Sequence, residues 1–158
     1  MNGLVIRAMQ PRDVSIVAEI ERESFPCPWI DDSFYECLKY PAFFCYVATR
    51  EGEGHIVGYT IGACEGEVMH IVNLATAVEC RRFGYGRALL RHLLGEAKNR
   101  GIRSAFLEVR TRNIPARALY ASEGFTQIEF LPHHYPTPPD DGLRLAVEIS
   151  PPLEKCQS

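Results

Sequence analysis

The sequence predicts an α/β domain of the α+β kind: a three-layer α-β-α arrangement around a mixed, mostly antiparallel sheet of about seven strands with a central parallel βαβ unit. Three observations carry this. Between Val68 and Arg110 the order is apolar strand, glycine-rich turn, amphipathic helix, strand, which makes one right-handed crossover with parallel strands. Strands joined by short turns stand on both sides of that unit, so the rest of the sheet is antiparallel. The 158 residues, 46% of them hydrophobic, supply one core and leave no length for a second ordinary domain.

The elements follow in order. Leu4 to Met9 reads as a strand, and Pro11-Arg12-Asp13 opens a helix through Ser24 with Val14, Ile16, Val17 and Ile20 on its apolar arc. Pro26 and Pro28 end it. A second short helix follows Trp29, with Asp31 as N-cap and Phe34, Cys37 and Leu38 facing inward, and Pro41 closes it. Phe43 to Thr49 and Ile56 to Cys64 form a hairpin across a turn at Gly52 to Gly54. The apolar run Val68 to Val78 reads as a strand buried on both faces. A helix from Gly86 to Arg100 places Leu89, Leu90, Leu93, Leu94 and Ala97 inside, and Gly101 stops it. Ser104 to Arg110 is a strand. Asn113 caps a helix to Glu123, with Pro115 in the first turn and Gly124 as the left-handed stop. Phe125 to Leu131 and Leu143 to Ile149 are the last strands, with a proline-rich loop over His133 to Gly142 between them. The folded domain is expected over residues 1–150, with 151–158 a flexible tail.

Composition excludes several classes. A net charge of −3 with a pI near 6.0 offers no basic face for nucleic acid and suits a positively charged substrate. No window approaches the ~20 apolar residues of a membrane span, and Met1 to Gln10 lacks the pattern of a signal peptide, so a cytosolic protein is expected. The six cysteines stand singly, with no C-x-x-C pair, and read as reduced packing residues.

Arg81-Arg82-Phe83-Gly84-Tyr85-Gly86, between an apolar strand and an amphipathic helix, has the form of a diphosphate cradle. Two glycines one residue apart allow successive N–H groups to converge, and the helix start adds its positive dipole end. A dinucleotide fingerprint needs a third glycine where Leu89 stands, and a Walker loop needs Lys and Ser or Thr where Arg87-Ala88 stand.

Glu108 interrupts the otherwise interior strand Ala105 to Val109. A carboxylate there is either a base, strengthened by burial, or a structural group paired with Arg110 or Arg7 or turned to solvent. Tyr120, one turn before its helix ends, can give a proton, and at helical spacing from Ala116 and Glu123 it also fits a half-buried core position. Asn113 is first a cap, whose free amide atom can hold a ligand. His133 and His134 have no third ligand at suitable spacing, so no metal is assigned.

The order arginine, two residues, glycine, one residue, glycine resembles the coenzyme A loop of the GNAT superfamily of N-acetyltransferases. The resemblance extends from Leu4 to Ile149 and is nearest to the ribosomal-protein-alanine N-acetyltransferase (RimI) type. It is carried by Ser24-Phe25-Pro26 with Pro28-Trp29, Asn73-Leu74-Ala75, Leu107 to Arg110, Asn113, Ala118-Leu119-Tyr120, Glu123-Gly124-Phe125 and Tyr135-Pro136-Thr137. Where that type often has two adjacent tyrosines before Pro-Thr, this chain has His134-Tyr135.

The resemblance implies acetyl-CoA as acetyl donor, with Glu108 as general base and Tyr120 as the acid for the departing thiolate. It implies that Leu74, Ala75 and Thr76 align the acetyl and pantetheine part. Arg81, Arg82, Phe83, Gly84, Tyr85 and Gly86 would bind pyrophosphate, Asn113 would also touch the cofactor, and Trp29 and Tyr135 would border the acceptor slot. The acceptor it implies is a protein N-terminus, in particular the N-terminal alanine of a ribosomal protein. Two other readings stay open from sequence: the same fold acting on a lysine side chain or small amine, and a non-catalytic module that binds coenzyme A. Oligomeric state is left open as well.

Overall fold

The computed structural model describes residues 3–50 and 54–149. The Gly52-Glu53 part of the first hairpin turn and the tail from residue 151 lie outside the described residues. Strand β1 (Leu4–Ala8) leads through a 3-10 turn, Pro11–Asp13, into α1 (Val14–Ser24) and α2 (Asp31–Leu38). Strands β2 (Phe43–Arg50), β3 (His55–Glu65) and β4 (Val68–Thr76) form an antiparallel meander. Helix α3 (Tyr85–Asn99) crosses over to β5 (Ser104–Arg110), and α4 (Ile114–Ser122) precedes the hairpin β6 (Thr126–Pro136) and β7 (Pro139–Glu148). The seven strands lie in the order β1-β2-β3-β4-β5-β7-β6, and only β4 and β5 run parallel. The predicted mixed sheet with one parallel crossover is the one observed.

Two apolar clusters make the three layers. One joins Val14, Val17 and Phe34 to Val47, Tyr59 and Ile61 of the sheet. The other joins Leu90, Leu93 and Tyr120 to Met69, Ile71 and Leu107. Both later helices end as the glycines require. Gly101 and Gly124 take φ of +79° and +91°, and the next amides, Ile102 and Phe125, reach back to the carbonyls of Ala97 and Tyr120 at 3.0 Å.

The feature that makes a site is a separation of strands. β4 pairs with β5 only from Val68↔Ser104 to His70↔Phe106. Just beyond, Val72 is an extra residue in β4, because Ile61 faces Asn73 while Gly62 faces Ile71. Such a bulge bends its strand and ends pairing. From there β4 and β5 diverge, and their facing backbone edges open as a wedge.

Four local expectations are corrected. β4 is not sealed on both faces: His70, Val72 and Leu74 are only half-buried, the last two beyond the point where the strand leaves β5. Residues His133 to Gly142 are hairpin rather than loop, since Tyr135 pairs with Asp140 and Pro136 with Pro139. Pro132 and Pro136 are tolerated there because β6 is the sheet's edge strand, where a missing N–H costs little. Asp31 lies inside the first turn of α2 instead of capping it, 3.6 Å from Arg22. Ile16 is exposed, and the buried stripe of α1 runs instead through Val14, Val17, Ala18 and Glu21.

Candidate active site

The wedge between β4 and β5 is a cleft of roughly 300 Å³. Glu108, Tyr120, Asn113, Leu74, Trp29 and Tyr135 all line it, so six of the residues singled out in the sequence come together. Each arrives for a local reason. Glu108 sits on the half-buried face of β5, whose alternate residues Ala105, Leu107 and Val109 face the core. Asn113 caps α4 shortly after β5, its Oδ1 accepting the Ala116 N–H at 3.3 Å, and its side chain lines the cleft.

Tyr120 is the residue whose carbonyl accepts the closing bond of α4, and the returning Phe125 ring packs 5.5 Å from its own. That contact fixes the phenol. Its hydroxyl has no protein partner among the described residues, and no side-chain polar atom there is both sealed from solvent and unbonded, so it meets the cleft. Burial pushes its pKa up to about 12, with Tyr135 adding to the effect.

The surroundings of Glu108 differ from both paired alternatives named above. Arg7 is held by Asp13 at 2.7 Å, and Arg110 turns away to the Pro138 carbonyl at 2.7 Å. Its partners are Arg144, directly opposite on β7, whose Nε donates at 3.0 Å, and His70 Nε2 at 2.8 Å. The carboxylate therefore rests in an ion pair at the cleft wall, with 16% of its side chain exposed, rather than in a sealed apolar site. His70 and Arg144 escaped sequence reasoning because nothing local announces a cross-strand register.

Trp29 packs on Phe34 at 5.3 Å, and Arg110 stacks 4.3 Å from the ring of Tyr135. Burial and the Glu108 charge both raise the Tyr135 pKa. Asp140 accepts from Thr111 at 2.6 Å and Asp141 from the His133 amide at 2.8 Å, so both carboxylates are tied into the hairpin.

Ala75, Thr76 and the Arg81 to Gly86 loop do not line the cleft; they continue from it along the free edge of β4 to the start of α3. Arg82 and Gly84 both take left-handed φ, 71° and 80°, a backbone form in which successive amides can converge on an anion. Gly84 is the N-cap of α3 with no side-chain cap, and its carbonyl receives the first helical bond, from Ala88 at 3.1 Å. The amides of Tyr85, Gly86 and Arg87 are then available to an anion. Arg81 reaches Ser24 at 3.3 Å, and Phe83 stacks on Tyr85 at 5.7 Å while staying exposed.

Gly86 tests whether this loop is built for a ligand. A Cβ placed there would meet nothing nearer than 3.8 Å, so the protein alone has room for alanine. Alanine is also the better helix former by up to about 1 kcal/mol. The glycine is thus unfavourable for the helix, and a ligand passing close to the backbone, as the sequence reading expects of a diphosphate, would account for it. Gly86→Ala should raise Tm by up to about 3 °C while weakening acetyl-CoA roughly tenfold in calorimetry; undiminished affinity would remove the loop from that role.

Comparison with known proteins decides the family. Residues 14–125 match the model of the acetyltransferase (GNAT) family. The chain belongs to that family. It is 37% identical over 136 residues to an uncharacterized N-acetyltransferase of Methanocaldococcus jannaschii, covering 84% of each chain. It is 33% identical over 146 residues to a Bacillus subtilis protein provisionally named a [ribosomal protein bS18]-alanine N-acetyltransferase, covering 92% of this chain and 95% of the relative. Among solved structures, the Escherichia coli ribosomal-protein-S18-alanine N-acetyltransferase superposes with a TM-score of 0.87 at 28% identity, over 98% of this chain and 99% of that one. This GNAT chain is accordingly an acetyl-CoA-dependent N-acetyltransferase. No described helix is long and apolar enough to cross a membrane, and no group of three or more His, Cys, Asp or Glu among the described residues is placed to hold a metal.

Proposed function

We propose that this GNAT enzyme transfers acetyl from acetyl-CoA to the N-terminal α-amine of a protein, the N-terminal alanine of a ribosomal protein being the foremost candidate, in the cytosol. The observation that carries the reading is the meeting of Glu108 and Tyr120 in one wedge whose outer walls are Trp29 and Tyr135. The names of the Bacillus and Escherichia relatives support the acceptor.

Acetyl-CoA supplies the acetyl group as a thioester, with its diphosphate at the Arg81 to Gly86 amides and its pantetheine arm along the free edge of Leu74, Ala75 and Thr76. Asn113 offers Nδ2 to the same arm. The acceptor amine enters between Trp29 and Tyr135. An α-ammonium has a pKa near 8, so about a tenth is neutral at pH 7 and a modest base completes the job. Glu108 takes that proton, directly or through one water. The amine nitrogen then bonds to the acetyl carbon as the carbon–sulfur bond breaks, amides of the β4 edge polarise the carbonyl, the Tyr120 hydroxyl donates a hydrogen bond to the departing sulfur, and the second proton on the nitrogen passes through water to the thiolate, giving the amide and free coenzyme A.

The test uses two peptides: one with a free N-terminal alanine, and one with a blocked N-terminus and an internal lysine. Mass spectrometry should find acetyl on the first alone. Modification of the lysine peptide at a similar rate would replace this reading with a side-chain acetyltransferase.

A further inference from the structure

Glu21 has no part in the chemistry above, yet it is the most deeply placed charge at the cleft. It is 2% exposed and lines the cavity from α1. Its position continues the buried stripe Val14, Val17, Ala18, where an apolar residue would normally stand. Burying a carboxylate is costly unless its lone pairs are met. Here three donors meet them, from three elements. Oε1 accepts from the Tyr59 hydroxyl of β3 and from Asn73 Nδ2 of β4 at 2.8 Å. Oε2 accepts the Trp29 backbone N–H at 3.0 Å. No cation pairs with it among the described residues.

The donors lie on both sides of the slot. Asn73 immediately follows the Val72 bulge that opens β4 from β5, and Trp29 closes the loop whose Phe25, Pro26 and Cys27 form the outer wall. An apolar residue at position 21 could fill the volume but could not join these two parts.

We propose that Glu21 is a positioning residue for the acceptor: it ties the Trp29 wall to the bulged segment of β4 and so sets the slot that receives the first residue of the incoming chain. This rests on the acceptor reading given above. Acceptor binding then depends on Glu21, whereas acetyl-CoA, held by the glycine loop at the far end of β4, does not.

Glu21→Gln keeps the volume and one oxygen. With two donors on Oε1, the amide oxygen stays there, and the new NH2 faces the Trp29 N–H, donor against donor. The expected result is a KM for the alanine peptide raised about tenfold with kcat changed less than about threefold, and an unchanged acetyl-CoA Kd by calorimetry. Trp29 is the only tryptophan of the chain, so its emission should shift to the red in the variant. An unchanged KM, or a parallel loss of KM, kcat and cofactor affinity, overturns the proposal. Should the variant fail to fold, amide exchange of the wild-type protein decides: the Trp29 amide should be strongly protected although it lies between helices, and exchange at an unprotected rate refutes the tie. If the wild-type enzyme acetylates no N-terminal peptide, the acceptor reading fails by itself, while emission and exchange still judge the clamp.

Discussion

Glu108→Gln should slow acetyl transfer at pH 7 by roughly 10²- to 10³-fold, the range typical of removing a positioned base, and leave acetyl-CoA affinity within about twofold. The substitution is nearly isosteric, and the local fold should tolerate it because Arg144 keeps its second partner, Glu129, at 2.6 Å. The deficit should also depend on pH in a particular direction. The neutral fraction of an α-amine with pKa near 8 rises from about a tenth at pH 7 to about nine tenths at pH 9. The variant's rate should therefore recover by close to tenfold across that interval, since the solvent does what the carboxylate did. Steady-state rates from pH 6 to 10 make the check, and equal rates for both proteins throughout would strip Glu108 of its role.

The legible part of the molecule is the part written in short stretches of sequence. The Asn113 cap, the Gly101 and Gly124 stops, the glycine turn before α3 and the buried leucines of α3 each depend on residues within about one helical turn of each other, and each appears where expected. The edge hairpin was misread because proline density marks loops in general, whereas an edge strand leaves one row of N–H positions without partners. The surroundings of Glu108 were illegible for another reason. Arg144 reaches it only through the β5–β7 register, and His70 only through the brief parallel pairing at Phe106. Glu21 did leave a trace: a carboxylate seven residues after Val14, within the apolar stripe of an amphipathic helix, signals a buried polar tie. Its partners, Tyr59 and Asn73, sit 38 and 52 residues further on, beyond what spacing reveals.

Tyr120→Phe should lower kcat by about 10- to 10²-fold, less than loss of Glu108, and the reason lies in the acidity of the buried phenol. Burial holds its pKa at about 12, whereas an ordinary thiol ionises near 8.5. Complete proton transfer from that phenol to a free thiolate would run uphill by roughly 5 kcal/mol. Donation of a hydrogen bond to the sulfur as negative charge develops carries no such penalty, and hydrogen bonds to charged groups are worth about 1.5–3 kcal/mol. That energy corresponds to the predicted loss. The same pKa fixes the shape of the pH profile. The folded-state value is raised, so the phenol keeps its proton up to about pH 12, and no alkaline limb below that belongs to it. Tyr120→Phe should then displace the entire kcat profile downward between pH 6 and 10 without moving its midpoint, whereas Glu108→Gln changes its slope. The hydroxyl makes no bond to the protein among the described residues, so phenylalanine should leave stability intact or slightly improved. A variant with wild-type turnover would reduce Tyr120 to a packing partner of Phe125, and a shifted midpoint would show that it donates a full proton after all.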